Sequence, residues 1–221
     1  YLATHTAGCL QPRLVAIHTN AVDPAAYGAW ANPGAIVWSP FSNLWLYGTT
    51  TDVPAALARG INLCIGSDWG PSGTRNALGE LKLASLVSDA KGWGLTAFER
   101  VKMSTANPGD LLAQAWQRQA GRLQPGALGD ITVIAAGQAG ARADPFKTIL
   151  RATEADVRLV VINGRPLYGT GGYMSRAGAT QTSAISVVSQ SRRLALTQFN
   201  ASDQPWSFGD VLKRLEEVRA D

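Results

Sequence analysis

The fold is decided by three apolar runs, each of which ends at a polar side chain: LVAIH at residues 14–18, AIVWS at 35–39 and INLCIGSD at 61–68. Short continuous apolar runs are typical of strands that are buried on both faces of a sheet. Helical patterns follow, one with an aspartate cap and a glycine stop over 52–60 and another over 76–87. Strands that alternate with helices predict a parallel sheet covered by helices.

Polar side chains follow the carboxyl end of each predicted strand: His18, residues 39–43 and Asp68. Parallel sheets bind ligands beyond this end of their strands, so we expect the three groups to share one rim. An imidazole at this position suits proton transfer or metal ligation, although a buried histidine bonded to a neighbouring carbonyl fits His18 equally well. Asp68, flanked by Gly66 and Gly70, indicates either a shaped ligand loop or an ordinary turn or cap.

Aromatic residues cluster at the same strand ends and could wall a pocket for a flat, uncharged or heteroaromatic substrate. The alternative is packing between rim and helices, which we expect for at least half of them. Glu80, in the next helix, is expected to be solvated or ion-paired rather than in contact with a ligand. The aromatic residues are Trp38, Phe41, Trp45, Tyr47 and Trp69.

The pattern changes after residue 118. Residues 96–118 predict one or two helices, with a Thr96–Glu99 capping box and a separator at 107–110. Residues 121–126 indicate a strand followed by a tight turn. Further strands are predicted over 130–134 and 158–162, the second followed by an Asn-Gly hairpin signal.

The chain is therefore predicted to have three parts: a βα array over 1–118, a small β subdomain over 119–170, and an irregular segment with a carboxyl-terminal helix over 171–221. Ser207 is the predicted cap of that helix. Residues 170–206 carry no interpretable pattern. No internal repeat is visible.

Composition excludes several function classes. The 221 residues are 46% hydrophobic and 16% charged, which argues against extensive disorder, and the length is short for a decorated eight-stranded βα barrel of about 250 residues. Residues 1–100 hold 6 basic and 6 acidic residues, and residues 101–221 hold 14 and 10, so the net charge of +4 is thinly spread and does not indicate nucleic-acid binding. No apolar run approaches the ~20 residues of a membrane span.

Localisation is predicted to be cytoplasmic, since no signal-peptide pattern is visible. Cys9 and Cys64 form no CxxC pair and are predicted to be reduced packing residues, with a single disulfide as the alternative. The sequence does not begin with Met, so we also expect that residues precede it in the natural protein.

Several segments together resemble the metal-dependent amidohydrolase superfamily, in its cytosine deaminase-like and chlorohydrolase-like branch. RLVAIHTN (13–20), GAIVWSPFSNLWLYG (34–48) and LARGINLCIGSDWGPSGTRNALGELK (57–82) resemble its sixth, seventh and eighth barrel strands. STANPGDLL, GRLQPGALGDITVI and VRLVVINGRPLYG resemble the helix after the barrel and strands of the adjoining β subdomain. The resemblance covers roughly residues 8–170 and rests on the order and spacing of these pieces.

The resemblance implies the last three βα units of a (β/α)8 barrel and hydrolysis of non-peptide C–N bonds in a small, heterocyclic substrate. Asp68 would bind a divalent metal, zinc or alternatively iron, and shuttle a proton from the water that the metal activates. His18 would contact that water, polarise the substrate or bind a second metal. We predict substrate contacts at Trp38, Asn43 and Trp69.

The chain departs from the family pattern in its histidines. The family uses a His-x-His pair on its first strand and another histidine near its fifth, whereas this sequence holds only His5 and His18, which lie too close together to fill both roles. One imidazole and one carboxylate do not hold a catalytic zinc firmly, since such sites use three protein ligands or more. We therefore expect a carboxyl-terminal half that is inactive without its amino-terminal half, and whose open sheet edges favour aggregation or a homo-oligomer.

The sequence is also compatible with two other hypotheses. A non-catalytic α/β module would use the aromatic rim only to bind a ligand or a partner, and would hold no metal. An unrelated doubly wound α/β domain is the third hypothesis, although no Gly-x-Gly-x-x-Gly follows any predicted strand to support its dinucleotide-binding form.

Overall fold

The computed structural model describes residues 14–30, 34–137, 144–196 and 206–220. His5 and Cys9 lie outside these ranges. The chain divides into two compact units, the first formed by residues 1–122 and 144–151 and the second by 123–143 and 152–221. Both units mix helices and strands, so the chain is an α/β protein. This division differs from the predicted three parts, because residues 144–151 belong with the first unit and residues 171–220 with the β strands before them.

The first unit is built on a parallel sheet of three strands in the order β1-β2-β3. These are β1 (Val15–Ile17), β2 (Ala35–Trp38) and β3 (Asn62–Ile65). Their ladders pair Ala16 with Ile36 and Ile36 with Leu63, so the predicted apolar runs are adjacent parallel strands. Strands β2 and β3 are largely buried, which explains their continuous apolar sequence.

The helices of the first unit follow its strands and contribute side chains to the same core. After a 3₁₀ helix over Pro24–Ala29, they are α1 (Pro40–Tyr47), α2 (Val53–Ala58), α3 (Ala77–Ala90), α4 (Ala97–Met103), α5 (Ala106–Trp116) and α6 (Pro145–Arg151). The predicted caps are present, since Asp52 accepts from the Ala55 N–H and Asn76 from the Gly79 N–H. The largest side chains of this core include Trp38, Ile36, Leu63, Val53, Leu81 and Met103. No helix in the described ranges is long and apolar enough to cross a membrane.

Residues 40–43, for which the sequence predicts no secondary structure, form the first turn of a helix. Ser39 precedes Pro40 at the first position of α1, where a proline needs no hydrogen-bond partner for its nitrogen. The helix ends at Gly48, whose φ of 65° is the left-handed conformation of a glycine stop. The strand end is therefore followed at once by a helix that carries Ser42 and Asn43 at fixed positions.

Two predictions are wrong in this region. The separator expected at 107–110 lies inside α5, where Pro108 occupies the first turn, and the break falls at residues 104–105. Residues 121–126 form turns and no strand. Gly121 has a φ of 69°, and a Cβ there would lie 2.2 Å from the Thr105 carbonyl oxygen, so close backbone approach and not extension explains this glycine.

The second unit is built on an antiparallel sheet of five strands in the order β4-β5-β6-β8-β7. Strands β4 and β5 confirm two predicted strands, and Asn163 and Gly164, both with positive φ, make the predicted hairpin into β6. Residues left without a prediction form α7, β7 and β8. The elements are β4 (Ile131–Ile134), β5 (Val157–Ile162), β6 (Arg165–Gly169), α7 (Gly171–Arg176), β7 (Ser183–Val187) and β8 (Gln190–Leu194), with a 3₁₀ helix over Glu154–Asp156.

The core of the second unit is small and centres on Leu159, Met174 and Ala195. The last helix, α8 (Phe208–Ala220), begins at the predicted cap, where the Ser207 hydroxyl oxygen accepts from the Asp210 N–H at 3.2 Å. None of its residues is buried.

Candidate active site

His18 and Asp68 face each other, with His18 Nε2 3.8 Å from Asp68 Oδ2. They follow β1 and β3, which lie on either side of β2 in the parallel sheet. Two strand spacings separate β1 from β3 by about 10 Å, so the side chains meet across the carboxyl end of β2. Both are partly exposed, at 21% and 26% of the side chain, so solvent reaches both.

The His18 backbone is held in an unusual conformation. His18 and Thr19 have φ values of 68° and 55°, in the left-handed region that non-glycine residues seldom adopt. The His18 carbonyl oxygen accepts from the Thr19 hydroxyl at 2.7 Å and from the Thr51 hydroxyl, while its N–H donates to the Val37 carbonyl at 3.0 Å. Strained backbone of this kind persists where the surroundings over-determine it, which is common at functional sites.

The His18 ring is also fixed from one side. Tyr47, the last residue of α1, lies edge-on to it, with 5.8 Å between ring centroids. His18 Nδ1 is buried and has no hydrogen-bond partner in the described part of the chain. The other ring nitrogen, Nε2, is the one that faces Asp68.

The Asp68 carboxylate accepts three hydrogen bonds. Ser42 Oγ and Ser72 Oγ donate to Oδ2 at 2.5 and 3.2 Å, and the Trp69 N–H donates to Oδ1 at 2.8 Å. The Ser42 hydroxyl has the largest effect, and with Trp69, Ser72 and the nearby His18 it holds the pKa of Asp68 below its ordinary value. Asp68 is therefore an anion at neutral pH.

The loop after β3 is shaped around Asp68. A Cβ on Gly73 would lie 2.5 Å from the Asp68 carbonyl oxygen and 2.8 Å from its nitrogen, so the loop turns back onto the Asp68 backbone as only a glycine allows. This turn brings Ser72 to the carboxylate. Ser72 and Thr51 were not predicted as site residues, and the glycines around a serine four residues after Asp68 were the one signal in the sequence.

Among the residues that the structure describes, His18 and Asp68 are two donors that suit a divalent metal. Zinc bonds to nitrogen and oxygen measure about 2.0–2.2 Å, so two donors on one ion lie up to about 4.2 Å apart, and the 3.8 Å between His18 Nε2 and Asp68 Oδ2 fits. Within the described residues, no group of three or more His, Cys, Asp or Glu side chains could hold a metal. The pair fits part of a coordination shell and does not complete one.

The other predicted site residues differ in their exposure. Trp69 is 68% exposed beside Asp68, and Trp45 and Tyr47 are exposed on α1. Trp38 is fully buried, its indole N–H donates to Thr50 Oγ1 at 2.8 Å and it packs against Trp93, so it is a core residue in this structure, which does not support a direct substrate contact. Asn43 is also fully buried, and its amide atoms have no partner among the described residues.

Two remaining residues bear on the surroundings of the site. Cys64 is a free, buried thiol whose pKa burial raises to about 11, in keeping with a packing role. Glu80 is fully buried and makes no ion pair in the described ranges, contrary to the solvated or paired side chain that the sequence predicts. It accepts hydrogen bonds from Phe41 and Thr74.

Residues 31–167 match the model of the amidohydrolase family, which covers most of the chain. The chain is 30% identical over 172 residues to 5'-deoxyadenosine deaminase of Methanothermobacter thermautotrophicus, an alignment that covers 74% of this chain and 39% of that enzyme. This chain therefore spans well under half the length of that curated relative.

Solved structures show the same fold relationship. Guanine deaminase of E. coli superposes with a TM-score of 0.65 at 20% identity, covering 76% of this chain and 41% of that one. Atrazine chlorohydrolase of Arthrobacter aurescens, complexed with zinc, superposes with a TM-score of 0.61 at 22% identity, covering 73% and 37%. Relatives and structural neighbours thus include deaminases and a chlorohydrolase.

Proposed function

The chain belongs to the amidohydrolase family, and from that premise we propose that it carries part of the active site of a metal-dependent hydrolase for non-peptide C–N bonds. Its three parallel strands and the helices that follow them would be the last three βα units of an eight-stranded barrel. The proposed reaction is deamination, or amide or amidine hydrolysis, of a small heterocyclic molecule, as the names of the relatives suggest.

The observation that carries this proposal is the 3.8 Å contact between His18 Nε2 and Asp68 Oδ2 at the carboxyl end of a parallel sheet. Asp68 is held as an anion by three donors, so it can bind a cation or take up a proton at an oxygen. His18 presents Nε2 to the same point, where it can orient a water molecule or a substrate atom. Trp69 offers an exposed aromatic face beside them for a flat ring.

His18 and Asp68 are the residues that would hold the metal, and zinc is favoured because it is bound in the chlorohydrolase neighbour. When bound, the metal supplies a water that loses its proton near neutral pH. Two ligands from this chain leave the remaining ligands to residues outside it, since the sequence contains only one other histidine. We infer that the chain alone is inactive and that an amino-terminal portion of a barrel completes the site.

The test is co-expression with the amino-terminal portion of the matched deaminase, followed by metal analysis and ammonia release from purine nucleosides. We expect about one zinc ion per complex. Asp68→Ala should abolish both the bound zinc and the ammonia release. Asp89→Ala removes an exposed carboxylate on α3 and should retain both. Zinc and activity that survive Asp68→Ala at the level of the Asp89→Ala control would reject the assignment of Asp68.

A second function is favoured by one observation, the lack of a third metal donor within the described residues. In that case the chain is a non-catalytic module whose exposed aromatic residues bind a ligand or partner. It would carry no zinc alone or in any complex, so the same metal analysis separates the two proposals.

A further inference from the structure

Glu80 is the most unusual charged residue of the first unit. It has no solvent exposure, and no lysine, arginine or histidine forms an ion pair with it in the part of the chain that the structure describes. An isolated buried carboxylate is costly unless hydrogen-bond donors replace the lost water. The donors that Glu80 has found therefore indicate what it does.

These donors belong to two separate segments of the chain. Glu80 Oε2 accepts from the Phe41 N–H at 3.3 Å, in the first turn of α1. Glu80 Oε1 accepts from the Thr74 N–H at 3.1 Å and from the Thr74 hydroxyl at 2.8 Å, in the loop after β3. One carboxylate thus ties the start of α1 to the loop that follows Asp68.

The same two segments supply the hydroxyl groups that hold Asp68. Ser42, next to Phe41, and Ser72, two residues before Thr74, both donate to Asp68 Oδ2. The Asp68 and Glu80 carboxylates therefore each accept hydrogen bonds from the same two segments, the start of α1 and the loop after β3. A shift of either segment at Glu80 moves a donor of Asp68.

A local helix cap does not account for this arrangement. The first turn of α3 already has its cap, since Asn76 Oδ1 accepts from the Gly79 N–H at 3.1 Å. Phe41 lies 39 residues away in sequence and belongs to another helix. A capping role for Glu80 therefore does not explain its hydrogen bond with the Phe41 N–H.

The contacts also demand a carboxylate and not an amide. A backbone N–H can only donate, and one such group faces each oxygen of Glu80. The NH₂ group of a glutamine would have to face one of these two backbone N–H groups. Two donors would then face each other, and that backbone N–H would have no acceptor. The difference between glutamate and glutamine at this position is therefore a direct probe.

We propose that Glu80 is a positioning residue for Asp68: its carboxylate joins the start of α1 to the loop after β3, and so sets the two serine hydroxyls against Asp68. The inference rests on the proposed function only for the use to which Asp68 is put. The positioning itself is a property of this chain without any metal.

The experiment compares Glu80→Gln with Glu99→Gln in the full chain by 1H–15N and carboxyl 13C spectra at fixed neutral pH. Glu99 is a matched control, because it also accepts hydrogen bonds in the first turn of a helix but lies at the surface, far from Asp68 in sequence. We expect Glu80→Gln to move the Phe41 and Thr74 amide signals. It should also move the Trp69 amide and the Asp68 carboxyl signals by more than Glu99→Gln moves them.

Unchanged Trp69 and Asp68 signals, in a folded Glu80→Gln chain whose Phe41 and Thr74 signals have moved, would overturn the proposal. If Glu80→Gln does not fold, Thr74→Val removes the hydroxyl group that lies within hydrogen-bond distance of both Glu80 Oε1 and the Asn76 carbonyl oxygen. This variant should move the Trp69 and Asp68 signals away from their wild-type positions. Signals at their wild-type positions in Thr74→Val would then overturn it. These spectra need no metal, so the result stands apart from the zinc analysis that tests the proposed function.

Discussion

At the residue scale, the site depends on how closely backbone can approach Asp68. Gly73 lies against the Asp68 peptide, where no other residue fits without movement. A Cβ added to Gly70, in the same loop, would meet no atom within 4 Å. The two glycines therefore have different reasons to be there, and only the first bears on the geometry of the carboxylate.

We expect Gly73→Ala to destabilise the fold by about 1–3 kcal/mol, because the added methyl group meets main-chain atoms that cannot turn aside. The displaced loop should also lose the hydrogen bond from Ser72 to Asp68. Urea unfolding measures the first effect and the Asp68 carboxyl 13C signal the second. Gly70→Ala is the matched control and should leave both near wild type. Equal effects of the two substitutions would mean that the close approach at Gly73 does not matter.

The sequence pattern predicted that His18 and Asp68 share one rim, but it did not predict which residues surround them. A polar residue after a buried strand is visible in sequence, and the parallel arrangement brings such residues to one rim. The direction of a side chain is not visible, since helix packing decides it. Trp38 packs into the core, which was the alternative expected for at least half of the aromatic residues, and Glu80 is buried where the sequence predicts a solvated or ion-paired side chain.

At the element scale, α4 gives a pH-dependent test of local capping. The Thr96 hydroxyl, followed by the Thr96 N–H, lowers the pKa of Glu99, and the Thr96 Oγ1 in turn accepts from the Glu99 N–H. Because the folded-state pKa is depressed, the ionised Glu99 stabilises the fold above its unfolded-state pKa of about 4.3, and this stabilisation is lost as the pH falls through the folded-state value.

Thr96→Ala should therefore raise the pKa of Glu99 and destabilise the fold by about 1 kcal/mol at neutral pH. The difference in the free energy of unfolding from wild type should narrow as the pH falls from about 4.3 through the folded-state pKa of Glu99, because Glu99 then becomes protonated in both proteins. Urea unfolding at several pH values measures it. Thr96→Ser keeps the hydroxyl group and should restore most of the stability. A difference that stays constant down to about pH 3 would exclude the Glu99 carboxylate as its source.

Elements with a strong local signal were predictable, and those shaped by packing were not. The apolar strands of the first unit and the Asn163-Gly164 hairpin follow from sequence because each has one compatible local structure. Helix α1 was missed because its first turn contains Pro40 and polar residues that also suit a loop. The β7–β8 turn was missed because its residues with positive φ are Val188 and Ser189, and neither is a glycine, the residue type that usually indicates such a turn.

At the scale of the whole molecule, the parallel sheet is notable for its outer strand. Within the described residues β1 pairs with β2 alone, and Val15 and Ile17 are exposed on it. Unpaired strand edges with apolar side chains are templates for pairing with another chain. An eight-stranded barrel would cover this edge with a further strand, which is what the proposed function requires.

If that edge is open in the isolated chain, the chain should self-associate as its concentration rises, and Ile17→Lys should weaken the association by placing a charge on the edge. Ile17 is 62% exposed, so the substitution leaves the core intact. Leu86 on α3 is 64% exposed and provides the matched control, because Leu86→Lys adds the same charge away from the strand. Sedimentation velocity over a concentration series measures both variants. Association that Leu86→Lys weakens as much as Ile17→Lys would point to general apolar exposure and not to the edge of β1, and a chain that stays monomeric at every concentration would show that the edge is not a pairing surface.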